Sequence, residues 1–285
     1  MTTDQITNLT TLQLNSFKTV QLAGLSTKQI VALTTDQISN LATTQLAALN
    51  SKQVTSIETD DLQASTTAQL VAMTTAQVAV FTTDQVVALT TDQMSNLKTA
   101  QLASLTAKQV AVIETDDLVS LTTAQLVTLT TAQVAALSTD QLQALTTAQL
   151  GSLKTAQISA LTTNQVVAMT TDQASNLKTA QIASMTTKQV VSMETDDLVS
   201  LTTAQLVALT TAQVAVMTTD QIQALTTDQV SNLTTAQVVA MGTAQLVVLT
   251  TGQVSNLATL QLAALTTLQV QAIETADVQA LTTAQ

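Results

Sequence analysis

The stretch LTTAQLVTLTTAQVAAL, Leu121 to Leu137, spells nearly the same eight residues twice and begins them a third time. Threonine and glutamine hold their places while their neighbours drift. Blocks of eight counted from Met1 extend this rule over the whole chain of 285 residues. Position 1 is large and apolar in every block except at Ser65, and position 3 is Thr except at Ser51 and Ala107. Position 5 is Gln except at Asp61, Asp117, Asp197 and Asp277. Position 6 is Ile, Leu or Val except at Met94 and Ala174, and position 8 is mostly Ala, Ser or Asn. No linker or change of composition interrupts the pattern, so residues 1–285 read as a single continuous octapeptide-repeat body.

One long α-helix does not fit an eight-residue period. Eight residues advance the helical wheel by about 800°, so the apolar stripe drifts by roughly 80° per block and leaves no straight seam. Each octad must turn back on itself. The sequence Thr-Thr-x-Gln matches a capping box, with position 2 as N-cap and Gln at position 5 as N3, reaching back to the N-cap amide. Position 2 is the less regular partner, since Lys18, Glu58, Ala42 and Gly242 also stand there. The more constant Thr at position 3 is therefore a second candidate for the cap, or for a bond to a neighbouring coil. Asp at positions 4 and 5 suits the first turn of a helix. Val134 and Leu137, three residues apart, share one helical face.

These features predict an all-α solenoid of very short helices, one per octad. The alternative is a β-solenoid, because Thr, Val and Ile favour strands. Against it stand only four Gly and no Pro to make sharp corners. In either form one octad buries too little apolar surface to offset the cost of ordering itself, so stability must come from stacking on neighbours.

Composition excludes more functions than it suggests. The chain has no His, Cys, Arg, Trp, Tyr or Pro. Without Cys there is no disulfide, thiol nucleophile or thiolate metal site. Without His the usual general base near neutral pH and the commonest metal ligand are missing, and a Ser-His-Asp triad is excluded. The reading is of a non-enzymatic protein without cofactor. Eight Lys against nineteen acidic residues, with only Phe17 and Phe81 as aromatics, argue against nucleic acid as a partner. Polar residues recur every few positions, so no membrane span is expected. The opening MTTDQITNL has neither a basic region nor an apolar core, so no secretory signal is visible.

A longer repeat overlies the octad. LKTAQLASLTAKQVAVIETDDLVSL at 97–121 returns, little changed, ten octads later at 177–201, and a third copy lies at 41–65. Each carries the block ETDD, at Glu58–Asp61, Glu114–Asp117 and Glu194–Asp197, with ETAD at Glu274–Asp277. Hard oxygen ligands make calcium conceivable there, but no Gly-bearing calcium loop surrounds them. Lys52, Lys108 and Lys188 each precede Asp60, Asp116 and Asp196 by one octad, and in the fourth copy Leu268 and Ala276 replace both members. That joint loss predicts a Lys–Asp ladder between adjacent octads in preference to a calcium site.

The consensus [LM]-[ST]-T-x-Q-[VIL]-x-[AS] resembles tandem octapeptide arrays of large bacterial surface and adhesin-like proteins. That resemblance implies a structural or presenting segment on a bacterial surface or outside the cell. A shorter stretch, LTTAQVVAM at 233–241, is similar to the first helix of the TAL-effector DNA-binding repeat, but the base-reading remainder is missing and the charge has the wrong sign for DNA. The expected function is a self-associating fibre, stalk or scaffold. The alternative is a surface that binds ice or glycan through regular Thr columns.

Position 4 supplies the candidate site. It is small or polar through the middle of the array and becomes large and apolar only at Leu12, Val20, Leu260 and Leu268. Terminal repeats of a soluble solenoid should instead turn polar. The array also begins in register at Met1 and stops within an octad at Gln285. These features predict an end-to-end interface between copies, with self as the partner.

Overall fold

The computed structural model describes residues 1–283 and 285. Among them every octad carries one helix of four to six residues, and no strand is present. The all-α expectation holds and the β-solenoid alternative does not.

The local rule is visible in the quoted stretch. Thr122 is N-cap, extended at φ −68° and ψ 156°. Its hydroxyl accepts from the Gln125 amide at 3.2 Å, while Gln125 Oε1 accepts from the Thr122 amide at 2.8 Å. This reciprocal pair satisfies two of the donors that a helix start leaves open. Position 2 is thus the cap, and the residue at position 3, Thr in all but two octads, is the first helical residue and not the cap. Where position 2 has no capping oxygen, Gln still accepts the N-cap amide, as at Lys18, Ala42 and Gly242.

The chain reverses without special residues. After the helix Thr115–Ser120, Leu121 is extended at φ −66° and ψ 138°, and Thr122 follows in the same region. No described residue has positive φ. Two consecutive extended residues redirect the backbone, a conformation open to any L-residue. That is why so few Gly and no Pro suffice.

Positions 1 and 6 form the core. Leu118 and Leu121 are 0% and 2% exposed, and Val134 and Leu137 share a buried face as expected. The chain divides into two compact units, Met1–Leu145 and Thr146–Gln285. In the first, each helix packs on the third helix along, as Thr35–Ser39 does on Thr59–Ala64 and Thr91–Asn96 on Thr115–Ser120. In the second, Thr171–Ser175 packs in the same way on Thr195–Ser200. Hydrogen bonds between successive coils span 25 to 31 residues. A coil therefore holds more than three octads and fewer than four.

The glutamine column binds the coils together. Gln69 Nε2 donates to Leu41 O at 2.8 Å and Ile38 O at 2.9 Å, 28 and 31 residues back. Gln189 repeats this in the second unit with Leu161 O and Ile158 O, both at 2.8 Å. Each such Gln is buried, at 2% exposure for both. Its oxygen caps its own helix and its nitrogen serves carbonyls of the coil behind. Asn at position 8 adds a local bond, as Asn96 Nδ2 donates to Asp92 O at 2.7 Å.

Gln69→Glu separates the two roles, because it keeps an acceptor for the cap and places an anion against two buried carbonyls. We predict a loss of about 2–4 kcal/mol at neutral pH in chemical unfolding, at least as large as for Gln69→Ala. A loss confined to the Ala variant would show that the cap alone matters.

Candidate functional site

Two kinds of surface depart from the uniform array: the coils where the glutamine ledger is open, and the three ETDD blocks.

In the first coil, Gln5, Gln13 and Gln21 are exposed, and their Nε2 groups donate to no described residue. Gln29 is the first to reach back, to Met1 O. In the last coil the carbonyls of Leu265, Ile273 and Leu281 receive no Gln, and Val270 and Val278 at position 6 are 53% and 52% exposed. Their interior counterpart Val238 is fully buried. Leu12, Val20, Leu260 and Leu268 lie on these same terminal coils at 81%, 72%, 75% and 70% exposure. Leu12 and Val20 stand on neighbouring helices, Thr11–Asn15 and Thr19–Ala23, and Leu260 and Leu268 on Thr259–Ala264 and Thr267–Ala272. Position-4 periodicity identified the four apolar residues. It did not identify the open Gln amides beside them, which become visible only once the coil length is known.

The ETDD blocks replace a buried Gln by Asp. Asp61, Asp117 and Asp197 are each 3% exposed. Asp61 Oδ1 accepts from Thr35 Oγ1 at 2.8 Å, and Asp117 Oδ1 accepts from Thr91 Oγ1 at 2.7 Å. Here the position-3 Thr does bond to the neighbouring coil. The Oδ2 atoms of all three Asp are buried without a hydrogen-bond partner. The shorter side chain also leaves the carbonyls of Leu33, Leu89 and Met169, each 28 residues back, without the donor that Gln gives their equivalents. Burial pushes the Asp61 carboxyl above its ordinary value; the Thr35 hydroxyl opposes this, and the charges of Glu58 and Asp60 reinforce it. Asp197 is raised for the same reasons, with Thr171, Glu194 and Asp196 in the corresponding roles.

The expected Lys–Asp ladder does not form. Among the described residues no Lys nitrogen lies within 4.0 Å of a carboxylate, and this includes Lys52, Lys108 and Lys188. Helices pack on the third along, so residues one octad apart lie around the bend of the coil and do not face each other. A shallow depression of about 390 Å³ is lined in part by Glu114, Asp116 and Asp140. No three carboxylates among the described residues converge closely enough to hold a metal ion. No helix among them is long and apolar enough to cross a membrane. A double-mutant cycle at Lys108 and Asp116 should therefore give coupling below about 0.2 kcal/mol, the lower edge for exposed pairs. Coupling near 1 kcal/mol would restore the ladder.

The family model for the ALTTAQ repeat matches residues 8–43, 54–91, 110–147, 143–179, 190–227 and 227–259, well over half of the chain. The chain belongs to the ALTTAQ repeat family, and it is a tandem repeat array. No curated protein matches it.

Proposed function

We propose that this member of the ALTTAQ repeat family is a non-enzymatic scaffold that assembles with copies of itself head to tail. The observation that carries the reading is the exposure of the four large apolar residues of position 4, Leu12, Val20, Leu260 and Leu268, at 81%, 72%, 75% and 70%, where the rest of that column is small or polar. A contact that sets Leu12 and Val20 of one copy against Leu260 and Leu268 of the next removes this apolar surface from water. Because the two faces differ, each contact leaves one of each open, and assembly continues as a filament.

The absence of His and Cys supports a role without catalysis. The likeness to octapeptide arrays of bacterial surface and adhesin-like proteins favours a cell-surface setting. Recognition of ice or glycan through Thr columns has less support, since the position-2 hydroxyls already accept the Gln amides, as at Thr66 and Thr226.

Light scattering across a concentration series tests the proposal. The 285-residue protein should gain mass in whole protomers as concentration rises. Replacing Leu12, Val20, Leu260 and Leu268 by Asp should leave monomers with an unchanged helical circular dichroism spectrum. A wild type that stays monomeric when concentrated, or variants that assemble equally well, would overturn head-to-tail assembly.

A further inference from the structure

The three buried Asp residues are the places where the rule that joins the coils is broken. At each, an orphan Oδ2 closed to water lies at a coil junction whose buried position-1 carbonyl has lost its donor. The groups gathered there are acceptors, and a position built from acceptors needs a donor or a positive charge.

The packed neighbours add no positive charge. The helix Thr59–Ala64, bearing Asp61, lies between Thr35–Ser39 and Thr83–Val87, whose charged residues are Asp36 and Asp84. Thr115–Ser120, bearing Asp117, lies between Thr91–Asn96 and Thr139–Ala144, which carry Asp92 and Asp140. Thr195–Ser200, bearing Asp197, lies between Thr171–Ser175 and Thr219–Ala224, which carry Asp172 and Asp220. The same helices carry Asp60, Asp116 and Asp196 and are preceded by Glu58, Glu114 and Glu194 at their N-caps. No Lys occurs on any of the six flanking helices. Each buried carboxylate is thus set in a ridge of four other acids that runs over three coils. The arrangement is not repeated at Asp277, where the packed helix Thr251–Ser255 carries Gly252 in place of Asp.

We infer that Asp61 and Asp197 are proton-binding seams, at which a proton on the orphan Oδ2 removes a buried, uncompensated charge from the coil junction. A water or a metal ion does not fit against an oxygen that solvent does not reach, and no carboxylate trio converges to share one. A proton needs no space. It removes a buried charge from an acidic ridge and turns an acceptor among acceptors into a donor. In acid these two seams lose their buried charge. At neutral pH they are the weakest courses of the array.

The sign follows from the raised carboxyls of Asp61 and Asp197. The folded state holds their protons more tightly than the unfolded chain does. Their stabilisation is complete below the ordinary value of 3.8 and is lost as pH rises through the raised folded value.

The test compares melting temperature from pH 7 to pH 4 in three proteins. Replacing Asp61 and Asp197 by Asn mimics the protonated group, with an amide nitrogen in place of Oδ2–H. This double variant should melt several degrees above wild type at pH 7 and lose most of the wild-type gain on acidification. A control with Asn at the exposed Asp60 and Asp196 removes the same charge and should keep that gain. Carboxyl-carbon NMR of wild type should show Asp61 and Asp197 still protonated above the ordinary carboxyl value of 3.8. Parallel pH dependence in wild type and the buried double, or an equal effect of the exposed control, would overturn the inference. So would a rise in wild-type melting temperature with millimolar calcium at pH 7 that the buried double lacks, because the occupant would then be a cation.

Discussion

One side chain making bonds in two directions holds this fold together. A helix of four to six residues is too short to persist in water, since nucleation consumes most of the gain from so few internal bonds. Glutamine at N3 answers this twice. Its oxygen closes the start of its own helix, and its nitrogen ties that helix to carbonyls 28 and 31 residues earlier. The second link matters because the extended residue at position 1 has a buried carbonyl that no helix serves. Each Gln thus removes a polar cost that the reversal creates. The repeat is eight residues long because one cap, one short helix and one reversal need that many.

Much of this was legible in the sequence. The eight-residue period excluded a continuous helix, Thr-Thr-x-Gln gave the capping box, and the apolar residues at positions 1 and 6 gave the core. The outward half of the Gln was not read, although a signal existed. Gln persists beside Lys18, Ala42 and Gly242, where no hydroxyl completes a capping box, so its constancy had to serve something besides the cap. Coil length was hidden for a related reason. A repeat fixes what happens within an octad, whereas the number of octads per coil depends on backbone angles at positions 1 and 2. The Lys–Asp ladder failed on that point, since it assumed that consecutive octads face each other, while packing joins every third helix.

The exceptions in the array follow the same interaction. The terminal coils differ because their Gln amides or carbonyls lack a partner coil, and the four apolar position-4 residues share those coils. The ETDD blocks differ because Asp is too short and has no amide nitrogen. The sequence marked both places, by apolar residues at position 4 and by Asp in the Gln column. It did not reveal that Asp61, Asp117 and Asp197 are buried while Asp60, Asp116 and Asp196 beside them are exposed. That difference depends on which helix face meets the preceding coil.

The central claim is that interior glutamine nitrogens bond across coils, and side-chain amide hydrogen exchange measured by NMR tests it most directly. The Nε2 protons of interior residues such as Gln69, Gln101 and Gln237 should be strongly protected in dilute monomer, while those of Gln5, Gln13 and Gln21 exchange at the rate of free glutamine. Equal and rapid exchange at interior and first-coil positions would contradict the account.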